Sequence, residues 1–290
     1  MNDNITENQT RSADGTRIAY RSTSRGPGLV LVPGALAVAR DFDGLARELG
    51  TAFTVHTIER RGRGASGPQG DVYGAEREVE DILAVAAATG SRLIAGHSFG
   101  GFLALEALRT GRFDAGAVYE PGVLIGEDDE LVAMRWADRC AAELARGRRH
   151  AAFTTFVQGV NPETSGKAPR VVLSAIMRVA IPREERLQKY ALLEGTLREH
   201  REAANLADQP ERYRGVEAPV LLMTGKEATA TSAGRAAGRL SALLPSARLR
   251  LFPGLDHFGP EKQPALVAAA VIDHLRATAP ASSSVDGATP

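Results

Sequence analysis

The stretch Leu93–Leu108, LIAGHSFGGFLALEAL, sets six residues of small or turn-forming character, GHSFGG, between two apolar runs. Its serine, Ser98, has two readings. A serine between a strand and a helix commonly caps the helix, its hydroxyl accepting from a free N–H of the first turn. Capping asks for the serine but not for the glycines around it. Gly96 and Gly100 flank Ser98 two residues away on either side and Gly101 follows, which satisfies the pattern G-x-S-x-G. A chain that reverses sharply from strand to helix strains its apical residue, and neighbours without side chains relieve the crowding. In this second reading Ser98 is held out within reach of another molecule and acts as a nucleophile.

The flanks agree with the second reading. Arg92–Ala95 follows Thr89-Gly90-Ser91 and is a short apolar run of the kind that forms a buried strand. Phe102, Leu103, Leu105, Ala107 and Leu108 put apolar side chains around most of a helix, as packing behind a sheet requires. Further out, strands are predicted at Thr16–Arg21, Leu29–Val32, Thr54–Glu59 and Ala115–Tyr119, with helices at Phe42–Leu49 and Glu76–Ala88. From about residue 122 to 213 only helical patterns occur, at Asp129–Arg146, Arg170–Val179 and Arg183–Ala204. The alternation then resumes with a strand at Pro219–Thr224, a helix at Ser232–Leu244, a strand at Arg248–Phe252 and a helix at Glu261–Ala277. This order predicts an α/β fold, a mostly parallel twisted sheet with helices on both faces. Residues 13–121 and 214–278 would form its core and residues 122–213 an inserted helical cap. The polar ends, residues 1–12 and 279–290, are expected to be flexible.

Composition narrows the partners. Lys plus Arg and Asp plus Glu are 35 each, so the formal net charge is zero and nothing favours nucleic acid or a membrane surface. No run of about 18 apolar residues offers a membrane span, and the start MNDNITENQTRSADG has no apolar targeting segment. The cytoplasm is therefore the expected compartment. The one cysteine, Cys140, excludes an internal disulfide and, with no Cys/His cluster beside it, gives no zinc pattern. It is expected to be a small buried helix residue. Oligomeric state has no signal in the sequence.

In a parallel sheet, functional groups gather at the C-terminal ends of strands. Pro33-Gly34-Ala35-Leu36 follows such a strand, and the N–H groups of Ala35 and Phe99 together would make an oxyanion hole. The alternative is a plain Pro-Gly turn. Of six histidines, His257 lies in FPGLDHFGP just past the last strand and is the candidate general base. His56 lies inside a strand, His150 and His200 among charges, and His274 on the last helix, so these are expected to be structural or solvated. His97, next to the nucleophile, should leave the turn in another direction and pack or hydrogen-bond locally.

The orienting acid stays open between two residues. Glu120 ends the strand in AGAVYEP and Glu227 follows another in TGKEATAT; both suit the role by position. Either also suits an exposed surface charge or an ion pair with Arg60 or Arg61. Asp256, adjacent to His257, would point elsewhere. Leu36, Trp136, Phe156 and Phe258 are candidate walls of an apolar substrate pocket, with Met134, Phe153, Met177 and Tyr190 as further candidates from the insertion.

With GHSFGG, GLDHF and the strand–helix alternation in place, the chain resembles the α/β-hydrolase superfamily, in the branch of small serine esterases and thioesterase-like enzymes. The resemblance covers nearly all of residues 13–278, and DGTRIAY, ERRGRGASG and YEPG resemble recurring segments of that branch. It implies a serine, acid and histidine triad, no cofactor and no metal, and a helical cap over the site. Three departures stand out. Pro33 occupies the place of the usual oxyanion-loop histidine; Ala228 stands where the acid is usually an aspartate, with Glu227 one residue earlier. Glu120 sits where some relatives place their acid instead. The third is Ser98 itself, which argues against the branches whose nucleophile is a carboxylate. The function implied is hydrolysis of an ester or thioester of a small to medium, largely apolar molecule through an acyl-enzyme. The alternatives are lactone opening, C–C hydrolysis or acyl transfer on the same scaffold, or a non-catalytic small-molecule binding protein.

Overall fold

The computed structural model describes residues 5–23, 26–125, 127–161, 163, 165–207, 209–225 and 231–278, with only the backbone path for 127–134. Eight strands form one sheet: β1 (Thr6–Arg11), β2 (Arg17–Thr23), β3 (Gly28–Val32), β4 (Thr54–Ile58), β5 (Leu93–His97), β6 (Ala115–Tyr119), β7 (Val220–Thr224) and β8 (Ala247–Leu251). Their spatial order is β1-β2-β4-β3-β5-β6-β7-β8. The β1–β2 and β2–β4 pairs are antiparallel and the rest parallel, so the expected mostly parallel α/β sheet is what forms.

Central strands read as apolar because both faces are covered. Val30, Val32, Ile94, Val118, Val220 and Leu222 face one layer, which includes α2 (Ala75–Thr89), α3 (Phe99–Leu108) and α8 (Ser232–Leu243). Leu29, Leu31, Leu93, Ala95, Ala117 and Met223, their neighbours in sequence, face the other, with α1 (Asp43–Leu49) and α10 (Pro264–Thr278). This period of two along each strand is the pleat expressed as two cores. A short helix α9 (Gly259–Lys262) precedes α10, so the single last helix predicted from Glu261 is two, divided at Gln263 ahead of Pro264.

Between β6 and β7 the described residues form four α-helices, α4 (Glu127–Ala145), α5 (Arg149–Val160), α6 (Arg170–Ala180) and α7 (Arg183–Asn205). They enclose a third apolar cluster, in which Trp136, Ala152, Phe153, Phe156, Met177 and Leu193 surround Cys140. Burial, then the nearby Glu143 charge, pushes the Cys140 thiol up to about 11, which keeps it protonated. Among the described residues no helix is long and apolar enough to cross a membrane.

The N-terminal expectation needs correction. Within the stretch expected to be flexible, Thr6–Arg11 forms β1, paired along its whole length from Thr6↔Ser22 to Arg11↔Arg17. An edge strand built of polar residues gains its order from backbone pairing with β2 and so has no apolar alternation to reveal it. Residues 279–290 lie outside the described residues.

Parallel register aligns four strand ends. Val32 pairs with Gly96, Gly96 with Val118, His97 with Tyr119, and Tyr119 with Met223. The next residues along each strand, the Pro33–Leu36 loop, Ser98, Glu120 and Thr224-Gly225, therefore emerge side by side at one edge of the sheet.

Candidate active site

Ser98 is the residue between β5 and α3, at φ 52° and ψ −125°. That backbone region is costly for a residue with a side chain and persists only where its surroundings dictate it. The surroundings here are backbone: a Cβ on Gly96 would strike the Gly100 carbonyl, and one on Gly100 would strike the carbonyls of Val32 and Pro33. The glycines of the motif therefore permit a main-chain crossing that alanine would block. The Ser98 hydroxyl makes no capping bond to α3, which sets aside the capping reading.

Instead the hydroxyl lies 3.0 Å from His257 Nε2, and His257 Nδ1 lies 2.8 Å from Glu120 Oε2. His257 is in the loop between β8 and α9 and its side chain is 31% exposed, whereas Glu120 is 5% exposed. Ser98 and His257 are both partly exposed, whereas Glu120 at the far end of the chain of bonds is buried. The second oxygen of Glu120 accepts from the Thr224 hydroxyl and the Gly225 N–H, both at 3.1 Å. Burial opposes the Glu120 charge, but His257, Gly225 and Thr224 together outweigh it and hold the carboxyl below the ordinary glutamate range. A carboxylate at Nδ1 fixes the ring proton there and leaves Nε2 as the acceptor facing Ser98.

Two side groups of the neighbouring strands hold the His257 loop. His97 Nε2 donates to the His257 carbonyl at 2.7 Å, and Tyr119 Oη donates to the Asp256 carbonyl at 2.8 Å. His97 thus reaches a residue far away in sequence, where a local partner was expected. Burial, then the neighbouring His257, depresses its pKa to about 3, so it stays a neutral donor. The Asp256 carboxylate turns away as expected, to the Phe258 N–H and Lys262.

Of the two candidate acids, Glu120 is the one beside His257, and Glu227 lies outside the described residues. Neither arginine offered as an alternative partner reaches Glu120: Arg60 pairs with Glu78 and Glu199, and Arg61 with Asp81 and Asp14. Ala35 lies in the loop beside the elbow, where a Cβ on Gly34 would come within 3.1 Å of Ser98 Cβ. Among the described residues neither the Ala35 nor the Phe99 N–H donates to another backbone group, which leaves both available. Leu36, Trp136 and Phe156 come together in the third apolar cluster; Phe258 stands apart, 46% exposed beside His257. His200 stacks edge-on against Trp136 and Phe156 and faces Phe99, so it belongs to this aromatic group rather than to solvent. His150 is bound by Tyr190 and Ser174, and His274 by the Pro219 carbonyl. A cleft of about 620 Å³ opens elsewhere, along residues 68–74 and beside Arg61 and Glu202, and none of Ser98, Glu120 and His257 lines it.

Sequence reasoning missed Thr224 and Gly225 as partners of the acid and His97 as a support of the His257 loop. The register of β5, β6 and β7 is the signal that brings them there, and register is not written in any one segment.

A sequence model of the alpha/beta hydrolase family matches residues 29–270 of the chain. N-formylmaleamate deformylase of Pseudomonas putida is 40% identical over 105 residues, 34% of this chain and 39% of that enzyme, so that match spans less than half of the relative's length. The 2-(acetamidomethylene)succinate hydrolase of Mesorhizobium japonicum is 24% identical over 282 residues, 92% of this chain and 95% of that protein. Among solved structures, an alpha/beta hydrolase from Sphaerobacter thermophilus superposes with a TM-score of 0.76 at 28% identity, covering 92% of this chain and 100% of the other.

Proposed function

The chain belongs to the alpha/beta hydrolase family of enzymes, and on that premise we propose that it is a serine hydrolase in which Ser98, His257 and Glu120 act as a catalytic triad. The observation that carries the proposal is the continuous path of bonds, Ser98 Oγ to His257 Nε2 at 3.0 Å and His257 Nδ1 to Glu120 at 2.8 Å. His257 takes the Ser98 proton as the serine oxygen attacks an acyl carbon, and the buried Glu120 carboxylate stabilises the imidazolium that forms. The N–H groups of Ala35 and Phe99 receive the oxyanion. His257 then delivers its proton to the leaving group, and the acyl-serine ester is cleaved by water activated in the same way. No step asks for a metal or cofactor.

Residues 122–213 are proposed to act as a cap whose Trp136 and Phe156 meet the loop bearing Leu36, which favours a compact, largely apolar acyl group in an ester or thioester. A second reading, cleavage of an amide-type N-acyl bond, draws on the names of the two curated relatives, a deformylase of N-formylmaleamate and a hydrolase of an acetamidomethylene compound. The same triad serves both, since His257 can protonate a departing nitrogen or oxygen. The substrate is proposed to be a small molecule met in the cytoplasm.

The test is labelling by a fluorophosphonate probe, wild type against Ser98→Ala. Wild type is expected to label at a single site that Ser98→Ala removes; an unlabelled wild type would overturn the triad. Parallel turnover of short-chain aryl esters and of N-formyl and N-acetyl amides then separates the two readings.

A further inference from the structure

Two buried guanidinium groups lie behind the loop that follows β3, and nothing in the acyl-transfer scheme uses them. Arg60 and Arg63, just past β4, are 1% and 4% exposed. Arg63 Nη1 donates to the Gly34 carbonyl at 2.8 Å and to the Ala37 carbonyl at 3.2 Å; Arg60 Nη1 donates to the same Gly34 carbonyl at 3.2 Å. Both are anchored by carboxylates of other elements and share one of them, Glu199, whose Oε1 also lies 3.1 Å from Arg60 Nη2. Arg60 binds Glu78 of α2 through Nε at 2.7 Å, and Arg63 Nη2 binds Glu199 of α7 at 2.5 Å.

The carbonyl they grip belongs to the same peptide as the Ala35 N–H. No peptide among the described residues is cis, so the planar unit directs its N–H opposite to its carbonyl. Its carbonyl faces the arginines, while on the other side the loop runs close to the elbow, where a Cβ on Gly34 would come within 3.1 Å of the His97 carbonyl and of Ser98 Cβ. The two carbonyls bound by Arg63 also bracket Leu36, which sits at φ 55°, a left-handed backbone that leucine avoids when free to choose. A loop bent against the preference of its own residue needs an outside hold, and charge-assisted bonds are the strong kind.

We propose that Arg63, together with Arg60, is a positioning residue for the oxyanion donor: by holding the Gly34 carbonyl it locks the Gly34–Ala35 peptide with its N–H toward the oxygen of a substrate on Ser98. The cations at the carbonyl end polarise that peptide and sharpen its N–H as a donor. Glu199 makes the hold depend on α7, so seating of the inserted helices and readiness of the oxyanion site are one event. This inference rests on the serine-hydrolase reading.

The test measures the second-order rate of fluorophosphonate labelling, together with the melting transition, for wild type, Arg63→Met, Arg63→Lys and the double variant Arg63→Met/Glu199→Gln. The probe's P=O oxygen occupies the oxyanion position during attack, so it reports the donor directly. Loss of an oxyanion donor costs about 10²–10³ in rate, and a loosened one should cost about 10–10². Both Arg63→Met and the charge-balanced double variant are expected to label that much more slowly, with kcat for an aryl ester falling in step while KM changes little. Arg63→Lys should fall between, because one ammonium cannot span both carbonyls and Glu199; it carries the test if the neutral variants do not fold. Wild-type labelling in the folded double variant would overturn the inference, since Arg63 would then serve only to neutralise Glu199. An unlabelled wild type overturns the hydrolase reading and this one with it, whereas a labelled wild type with unchanged variants overturns this one alone.

Discussion

Replacing Glu120 by Gln tests whether the carboxylate works through its charge and its tautomeric control or merely fills space. Gln is nearly isosteric, but its amide must choose an orientation. At the far side the Glu120 carboxylate accepts from the Thr224 hydroxyl and from the Gly225 N–H at 3.1 Å each. The hydroxyl can rotate to accept, whereas the Gly225 N–H is a fixed donor and demands an acceptor. The amide oxygen therefore goes to Gly225 and the NH₂ faces His257 Nδ1. That forces Nδ1 to accept and moves the ring proton to Nε2, where it points at Ser98 and bars proton abstraction. The wrong tautomer costs about 10⁴ in kcat, or roughly 5.5 kcal/mol of transition-state stabilisation. Glu120→Ala, which removes the group altogether, should cost a similar factor. If Glu120 only filled space, Gln would be mild and Ala severe. Steady-state turnover of an aryl ester, with circular dichroism to verify folding, separates the cases; Glu120→Gln within about tenfold of wild type would refute the tautomer argument. Glu227→Gln is expected to retain wild-type kcat, because the Nδ1 position is already taken by Glu120.

Two further predictions concern the frame around the site. His97 has a pKa depressed from 6.5 to about 3, so as pH falls through that window the unfolded chain takes up a proton that the native state refuses. Stability is full above 6.5 and is lost on acidification, by roughly 2.5 kcal/mol between about pH 7 and pH 4.5. His97→Gln keeps a donor for the His257 carbonyl without the titration, so its urea midpoint should depend less steeply on pH; an unchanged slope would show that His97 is not the group responsible. Gly100→Ala would drive a Cβ into the carbonyls of Val32 and Pro33, main-chain atoms that cannot swing aside. Destabilisation of about 2–3 kcal/mol or more is expected, and a chemical unfolding curve superimposable on wild type would contradict the crossing geometry.

The elbow was legible in the sequence because its constraint is local. Gly96, Ser98 and Gly100 are close enough along the chain for one strand-to-helix turn to demand all of them, and the structure meets that demand at Ser98 φ 52°. The alternation of elements was legible for a similar reason, since each strand and helix carries its own period. Arg60 and Arg63 carried no such signature. In the sequence they are charges in a glycine-rich loop, and their burial follows from Glu78 and Glu199, which approach from two different helices. β1 escaped notice for the opposite reason, because its order comes from backbone pairing and leaves no pattern in its side chains.

The acid shows where one-dimensional reasoning stops. Glu120 follows the end of β6 and Glu227 follows β7 by a few residues, and β6 and β7 are neighbours in register, with Tyr119 opposite Met223. Two glutamates placed beyond adjacent strand ends are equivalent candidates for a histidine that descends from a third strand's loop. What distinguishes Glu120 is lateral: its N–H donates to the Met223 carbonyl at 2.8 Å, and its carboxylate is received by Thr224 and Gly225 of the neighbouring strand end. A buried carboxylate needs such donors to remain charged, and the strand end that supplied the rival candidate supplies those donors to Glu120. In the proposed triad the choice of acid is thus made between strands, by which end offers the charge and which offers the hydrogen bonds that keep it.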